Sequence, residues 1–140
     1  MPPQPAVWRE PGKSSDAECT SRWDNLRVAA LCIGVKAYPG SDALDTTVKD
    51  TKAMHKKINL LDQCRAAMIL DPESRVEMYE KMRKRFLELL SSNPPELVII
   101  FYEGHGKEFD RDLFLMPTGA KYDDPDDCKQ TCISHREVLE

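Results

Sequence analysis

The run Glu103-Gly104-His105-Gly106 follows directly on the apolar stretch Leu97-Val98-Ile99-Ile100-Phe101-Tyr102. Imidazole is the side chain that takes up and returns a proton near neutral pH. A glycine on each side removes Cβ, permits φ > 0 and lets a substrate backbone approach the Gly106 N–H. Two other sets of residues have ligand chemistry. Cys128, Cys132 and His135 form C-x3-C-x2-H, but three ligands in one turn without a fourth are a weak zinc signal. Asp123, Asp124, Asp126 and Asp127 offer hard oxygens and read as a solvated acidic loop. An exposed turn histidine has the same local pattern as His105, so the elements around it must decide.

Leu97 to Tyr102 is short, β-branched and aromatic, and reads as a strand covered on both faces, with His105 just past its C-terminal end. In parallel α/β sheets ligands bind at that edge. Leu26 to Val35 reads as a central buried strand ending in the turn Tyr38-Pro39-Gly40. From Asp45 to Leu61, Val48, Met54, Ile58 and Leu61 recur at helical spacing. Ala66 to Leu70 is a second strand, and Asp71-Pro72-Glu73 reads as an N-cap with proline at the first helical position. In the helix that follows, Val76, Tyr79, Met82, Phe86 and Leu90 form one apolar stripe, with Glu77–Lys81 and Glu80–Lys84 pairs on the exposed side. Strand, helix, strand, helix, strand calls for right-handed crossovers and an α/β three-layer sandwich with a mainly parallel sheet.

Beyond His105, Asp112 to Pro117 reads as an edge strand or hairpin arm, and 121–131 as a polar loop. Ser134 and Glu137 have the spacing of a capping box, so a helix is expected from Ser134. Only six residues remain for it, so the sequence is expected to stop within an element, as a fragment, a truncated product or a chain completed by something else.

With 140 residues there is room for one domain. Residues 1–24 hold four of the ten prolines without periodicity and read as a disordered leader, and folding is expected over 25–140. A hydrophobic content of 41%, a charged content of 31% and a net charge of -4 exclude collagen, coiled coil and wholesale disorder. No window approaches a transmembrane span and the N-terminus lacks a signal-like apolar core, so a cytoplasmic protein is expected. An odd number of cysteines, five, with Cys32 inside an apolar run, fits reduced thiols. The acidic balance argues against nucleic acid, and the basic run 81–86 reads as a solvated helix face. Neither G-x-x-x-x-G-K-[ST] nor G-x-G-x-x-G follows the first strand, which weakens a nucleotide-binding reading.

Ile33 to Gly40, the helix opening at 45–54, Val98 to Gly106 and Phe114 to Ala120 together resemble the caspase-like superfamily of cysteine peptidases, peptidase C14 type. The likeness is closer to metacaspases than to animal caspases, and it covers about Leu26 to Glu140, the N-terminal part of a catalytic domain. It implies peptide-bond hydrolysis through a thioester, with His105 as the catalytic base and acid beside a cysteine. Gly106 matches the family glycine whose N–H binds the oxyanion. Asp50 matches an acidic residue lining the pocket for a basic side chain. Glu103 departs from the family by standing where serine is usual, and adds negative charge. A protein or peptide substrate with Arg or Lys before the scissile bond is therefore expected. Read as residues alone, Asp50 equally fits a solvated position near a helix start, and Glu103 could instead face the imidazole or water.

The family nucleophile lies about 50 residues after the histidine, roughly position 155, beyond Glu140. Cys19, Cys32, Cys64, Cys128 and Cys132 are poorly placed to replace it, so the 140 residues alone are expected to be inactive. No cofactor is expected. The family's calcium site does not carry over, because Gly119 stands where an acidic residue is common. A continuation or partner that completes the sheet is expected. The rival reading is an inactive homologue that serves as a regulatory or interaction module.

Overall fold

A computed structural model describes residues 26–91 and 93–139. The expected leader, 1–24, and Cys19 lie outside the described residues. Three parallel strands, β1 (Val28–Gly34), β2 (Cys64–Leu70) and β3 (Leu97–Glu103), form one sheet in the order β2-β1-β3. Helix α1 (Thr47–Asn59) joins β1 to β2, and α2 (Arg75–Leu90) joins β2 to β3. A smaller antiparallel sheet follows, in the order β4 (Gly106–Phe109), β5 (Asp112–Leu115), β6 (Ile133–Ser134). Two short helices, α3 (Pro125–Thr131) and α4 (His135–Leu139), flank β6. The α/β architecture read from the sequence is the one observed.

β1 is central, as its unbroken apolar run requires, and its pleat sorts residues by size. Ala30, Cys32 and Gly34 share one face, and Leu31, Ile33 and Val35 the other. The small face lets α1 come close: a Cβ on Gly34 would stand 2.4 Å from Thr51 Oγ1 and 3.2 Å from the Thr47 carbonyl. The large face joins Ile69, Met78, Met82, Phe114 and Ile133 in the core cluster. α1 therefore buries threonines, Thr47 and Thr51, where the sequence pattern pointed to Val48, Met54 and Ile58, which are only half-buried, and to Leu61, which is exposed.

Several expectations are corrected. The α2 stripe is rotated: Met78, Met82 and Leu89 are buried, while Val76 is 65% and Tyr79 51% exposed. The expected Glu77–Lys81 pair forms. Helix α2 starts at Arg75 with Ser74 as N-cap, its oxygen accepting from Glu77 N–H, so the Asp71-Pro72-Glu73 cap is displaced by three residues. Asp71 instead takes φ 46° and accepts the Lys36 and Ala37 N–H groups on Oδ1, at 2.7 and 3.0 Å. β3 is covered less than expected. Val98 and Ile99 are exposed, and β3 pairs only with β1 among the described residues.

The second sheet is a hairpin turned at Asp110-Arg111, both with positive φ, as a two-residue turn of the primed type requires. The expected polar loop 121–131 is largely helix α3, because Asp124 accepts from Asp127 N–H as N-cap and Pro125 takes the first helical position. Ser134 accepts from Glu137 N–H and opens α4 as expected. Arg75 holds this tail to α2, donating to the Lys129 and Cys132 carbonyls and to both oxygens of Glu137.

Gly34→Ala is expected to lower stability by about 1–3 kcal/mol through overpacking against α1, and Thr51→Ala in the same chain to recover part of it. Urea unfolding of the two variants measures both effects. No loss in Gly34→Ala would show that α1 is not held this close.

Candidate active site

His105 lies where the two sheets meet, two residues after β3 and one before β4. Its ring is fixed by one hydrogen bond and one packing contact. Nε2 lies 2.5 Å from the Asp42 carbonyl oxygen, which can only accept, so this nitrogen carries a proton. The ring of Tyr38 packs against the imidazole at 4.4 Å between centroids, tilted by 52°. In the neutral ring the second nitrogen, Nδ1, then holds a lone pair, and no protein group bonds it among the described residues.

The backbone of His105 is held by two phenols. Tyr38 Oη accepts from His105 N–H at 2.9 Å and donates to the Met116 carbonyl at 2.7 Å. Tyr102 Oη donates to the His105 carbonyl at 2.6 Å and accepts from Met116 N–H at 3.1 Å. Two hydroxyls thus serve the four peptide groups of His105 and Met116, and each hydroxyl both donates and accepts. Burial raises the pKa of Tyr38 and Tyr102, which keeps both in the neutral form that this pattern needs. Neither tyrosine was recognised in the sequence. In the sequence Tyr38 is part of a turn signal and Tyr102 the last residue of an apolar run, and their partners lie too far along the chain for a local pattern to show them.

The flanking glycines act by size. Of the described glycines only Gly40 has positive φ. A Cβ on Gly104 would stand 2.6 Å from Tyr102 Oη and 2.8 Å from Tyr38 Oη, so this glycine makes room for the phenol pair. Gly106 faces Leu115 in the β4–β5 ladder, next to the bonded His105–Met116 pair. Alternation in an antiparallel ladder directs its N–H away from β5, and the residue is exposed.

Asp50, in the first turn of α1, and Glu103, at the end of β3, are brought together. Burial first, then the charge of Asp50 and a hydrogen bond to it, raise the Glu103 carboxyl above its ordinary range. Glu103 forms no ion pair with His105 among the described residues.

No described cysteine is bonded to His105. Cys32, Cys128 and Cys132 are fully buried and Cys64 starts β2, at the opposite end of the sheet. Burial raises the thiols of Cys32 and Cys128, and pushes Cys132 up to about 11. His135 Nδ1 accepts from Leu113 N–H, which turns it to β5 and away from a zinc role with the two thiols. At Gly119 a Cβ would stand 2.6 Å from the Glu73 carbonyl, so the position has no room for the acidic side chain of a calcium ligand. Among the described residues no group of three His, Cys, Asp or Glu is gathered for a metal ion.

No helix among the described residues is long and apolar enough to cross a membrane. A sequence search of curated proteins finds no match. The family model of the caspase domain matches residues 27–139, spanning both sheets and the His105 turn. The chain therefore belongs to the caspase-domain family of cysteine peptidases.

Proposed function

We propose that this domain supplies the histidine half of a cysteine endopeptidase site. The observation that carries this reading is the His105 ring, with Nε2 committed to the Asp42 carbonyl and the Nδ1 side free of protein partners among the described residues. A thiol placed at Nδ1 gives its proton to the ring, and the thiolate attacks the peptide carbonyl. The C–N bond then breaks, a thioester forms, and the imidazolium returns the proton to the leaving amine. Water hydrolyses the thioester. The Gly106 N–H, directed to open space, is suited to the oxyanion. The thiol itself is assigned to a strand seated along the edge of β3 that is unpaired among the described residues, in a continuation or a partner, because the described thiols are buried or far along the sheet.

The substrate follows from Asp50 and Glu103. Two carboxyl groups in contact repel each other when both are ionised, and a guanidinium or ammonium relieves that repulsion. We infer a metacaspase-like preference for Arg or Lys before the scissile bond. Four described cysteines without a disulfide fit a reducing compartment, which supports a cytoplasmic location. The second reading, an inactive module that regulates a partner, is favoured by the same buried thiols.

Two experiments test these readings. In a form that carries a strand and cysteine beside β3, cleavage of an Arg-aminocoumarin peptide is expected, and His105→Ala is expected to reduce it about 10²–10⁴-fold. Cleavage that survives the substitution overturns the role of His105, and no cleavage in that form favours the inactive module. The 140-residue chain alone is expected to give none.

Binding of benzamidine, an amidinium, is expected to be proton-linked. Glu103 carries a proton to higher pH than an ordinary glutamate and accepts a cation only after losing it, so affinity rises with pH through that raised range. Asp50→Asn is expected to weaken binding about tenfold or more. NMR titrations across the acid range measure both, and a pH-independent affinity that ignores Asp50 excludes this pair as the basic-residue site.

A further inference from the structure

The His105 ring bonds to a carbonyl in the loop 36–44, which is closed at its ends by the Leu44 N–H bond to the Lys36 carbonyl at 3.0 Å but carries an exposed turn between them. Asp42 closes a short 3-10 turn, Gly40–Asp42, whose own hydrogen bonds are few: Asp42 N–H to the Pro39 carbonyl at 3.3 Å and Ala43 N–H to the Gly40 carbonyl at 3.4 Å. Both are long. Gly40 adopts φ 61°, and Pro39, Gly40 and Ala43 are exposed. Nothing in this turn alone fixes where the Asp42 carbonyl points.

A side-chain contact to the turn itself comes from the other end of the domain. Tyr122, eighty residues further along the chain, donates its hydroxyl to Asp42 Oδ2 at 2.5 Å. Tyr122 is itself firmly mounted. Its ring packs against the core cluster, and the preceding residue, Lys121, donates its N–H to Thr131 Oγ1 at 2.8 Å, whose single proton is shared between the Lys121 carbonyl at 2.8 Å and the Asp127 carbonyl at 2.7 Å. Thr131 is the last residue of α3, and Cys128 of that helix is fully buried. A rigid element thus reaches the exposed turn through one phenol.

We propose that Tyr122 is a positioning residue for His105, acting through the Asp42 carboxylate to hold the Asp42 carbonyl against Nε2. Tyr122 makes no hydrogen bond or ring contact with the imidazole itself. The proposal rests on the reading of His105 as the acid–base residue for its importance, but the geometry that it asserts is tested without catalysis. The Asp42 carboxylate also raises the pKa of the Tyr122 hydroxyl, the direction expected when the phenol acts as donor to it. The other charged group near this contact is Asp123, which acts in the same direction.

The test is hydrogen exchange of the His105 Nε2–H, read by imidazole-selective NMR on the full 140-residue protein. In the unaltered protein this proton is expected to be observable and slow to exchange. Tyr122→Phe and Asp42→Ala each remove the latch while leaving the Asp42 main-chain carbonyl in place, and each is expected to speed exchange at least tenfold. The double variant is expected to be no faster than either single one. Asp42→Asn keeps a side-chain oxygen for Tyr122 and is expected to retain slow exchange. Leu89→Ala, in the distant part of α2, controls for general destabilisation and is expected to leave the exchange rate as it was. An unchanged rate in Tyr122→Phe overturns the proposal, as do additive effects in the double variant. A peptidase assay without activity in any form would sink the catalytic reading and leave this result standing.

Discussion

Asp71 is the residue on which the candidate site depends. It directly follows β2 with φ 46°, donates its N–H to the Gly34 carbonyl, and accepts the Lys36 and Ala37 N–H groups on one carboxylate oxygen. Chain leaving the end of a parallel strand has peptide groups without ladder partners, here those of the exposed residues Lys36 and Ala37. A short carboxylate in left-handed conformation, tolerated by aspartate better than by most residues, meets two of them at once. Asp71 thereby anchors the first residues after β1, and the chain that continues from them carries both groups that hold His105: the Tyr38 ring and, four residues on, the Asp42 carbonyl.

The second constraint is the junction of the sheets. Between His105 and Met116 the strand ladder opens, and the Tyr38 hydroxyl stands between the His105 N–H and the Met116 carbonyl. A direct bond remains only from Met116 N–H to the His105 carbonyl, at 3.3 Å. The inserted phenols widen the ladder at the residue whose side chain must face outward. Gly104 is the compensation, since a methyl group there would collide with both hydroxyls. Burying two phenols is tolerable because each hydroxyl finds a donor and an acceptor, which a serine or threonine is too short to do from either strand.

What was legible in the sequence was what depends on local pattern. The buried central strand β1, the glycine-flanked histidine after an apolar run, and the Ser134–Glu137 cap each follow from neighbours within a few positions. The rest depends on partners far along the chain. The α2 stripe was misplaced because Met78 and Leu89 were left out in favour of Val76 and Tyr79, and spacing alone does not rank two adjacent stripes on one helix. Asp71 carries the signature of a helix cap and is used as a loop anchor. Asp124-Pro125 carries the same signature in a run so acidic that it read as loop, yet there the cap is real. Tyr38, Tyr102, Asp42 and Tyr122 act together over separations of up to eighty residues, which no window of sequence displays.

The pleat explains how one strand end serves two tasks. Tyr102 pairs in register with Ile33, and Glu103 with Gly34. Partners in register share a face, so Tyr102 points with Ile33 toward the large core and the second sheet, while Glu103 points with Gly34 toward α1 and Asp50. Successive residues therefore divide the work. One braces the His105 turn, and the next places a carboxyl beside Asp50. A carboxylate on the Tyr102 face would be buried among Met116, Tyr38 and the core, but on the Glu103 face it is partly solvated beside Asp50. The carboxyl is thus carried on the face away from the hydrogen bonds that hold the imidazole.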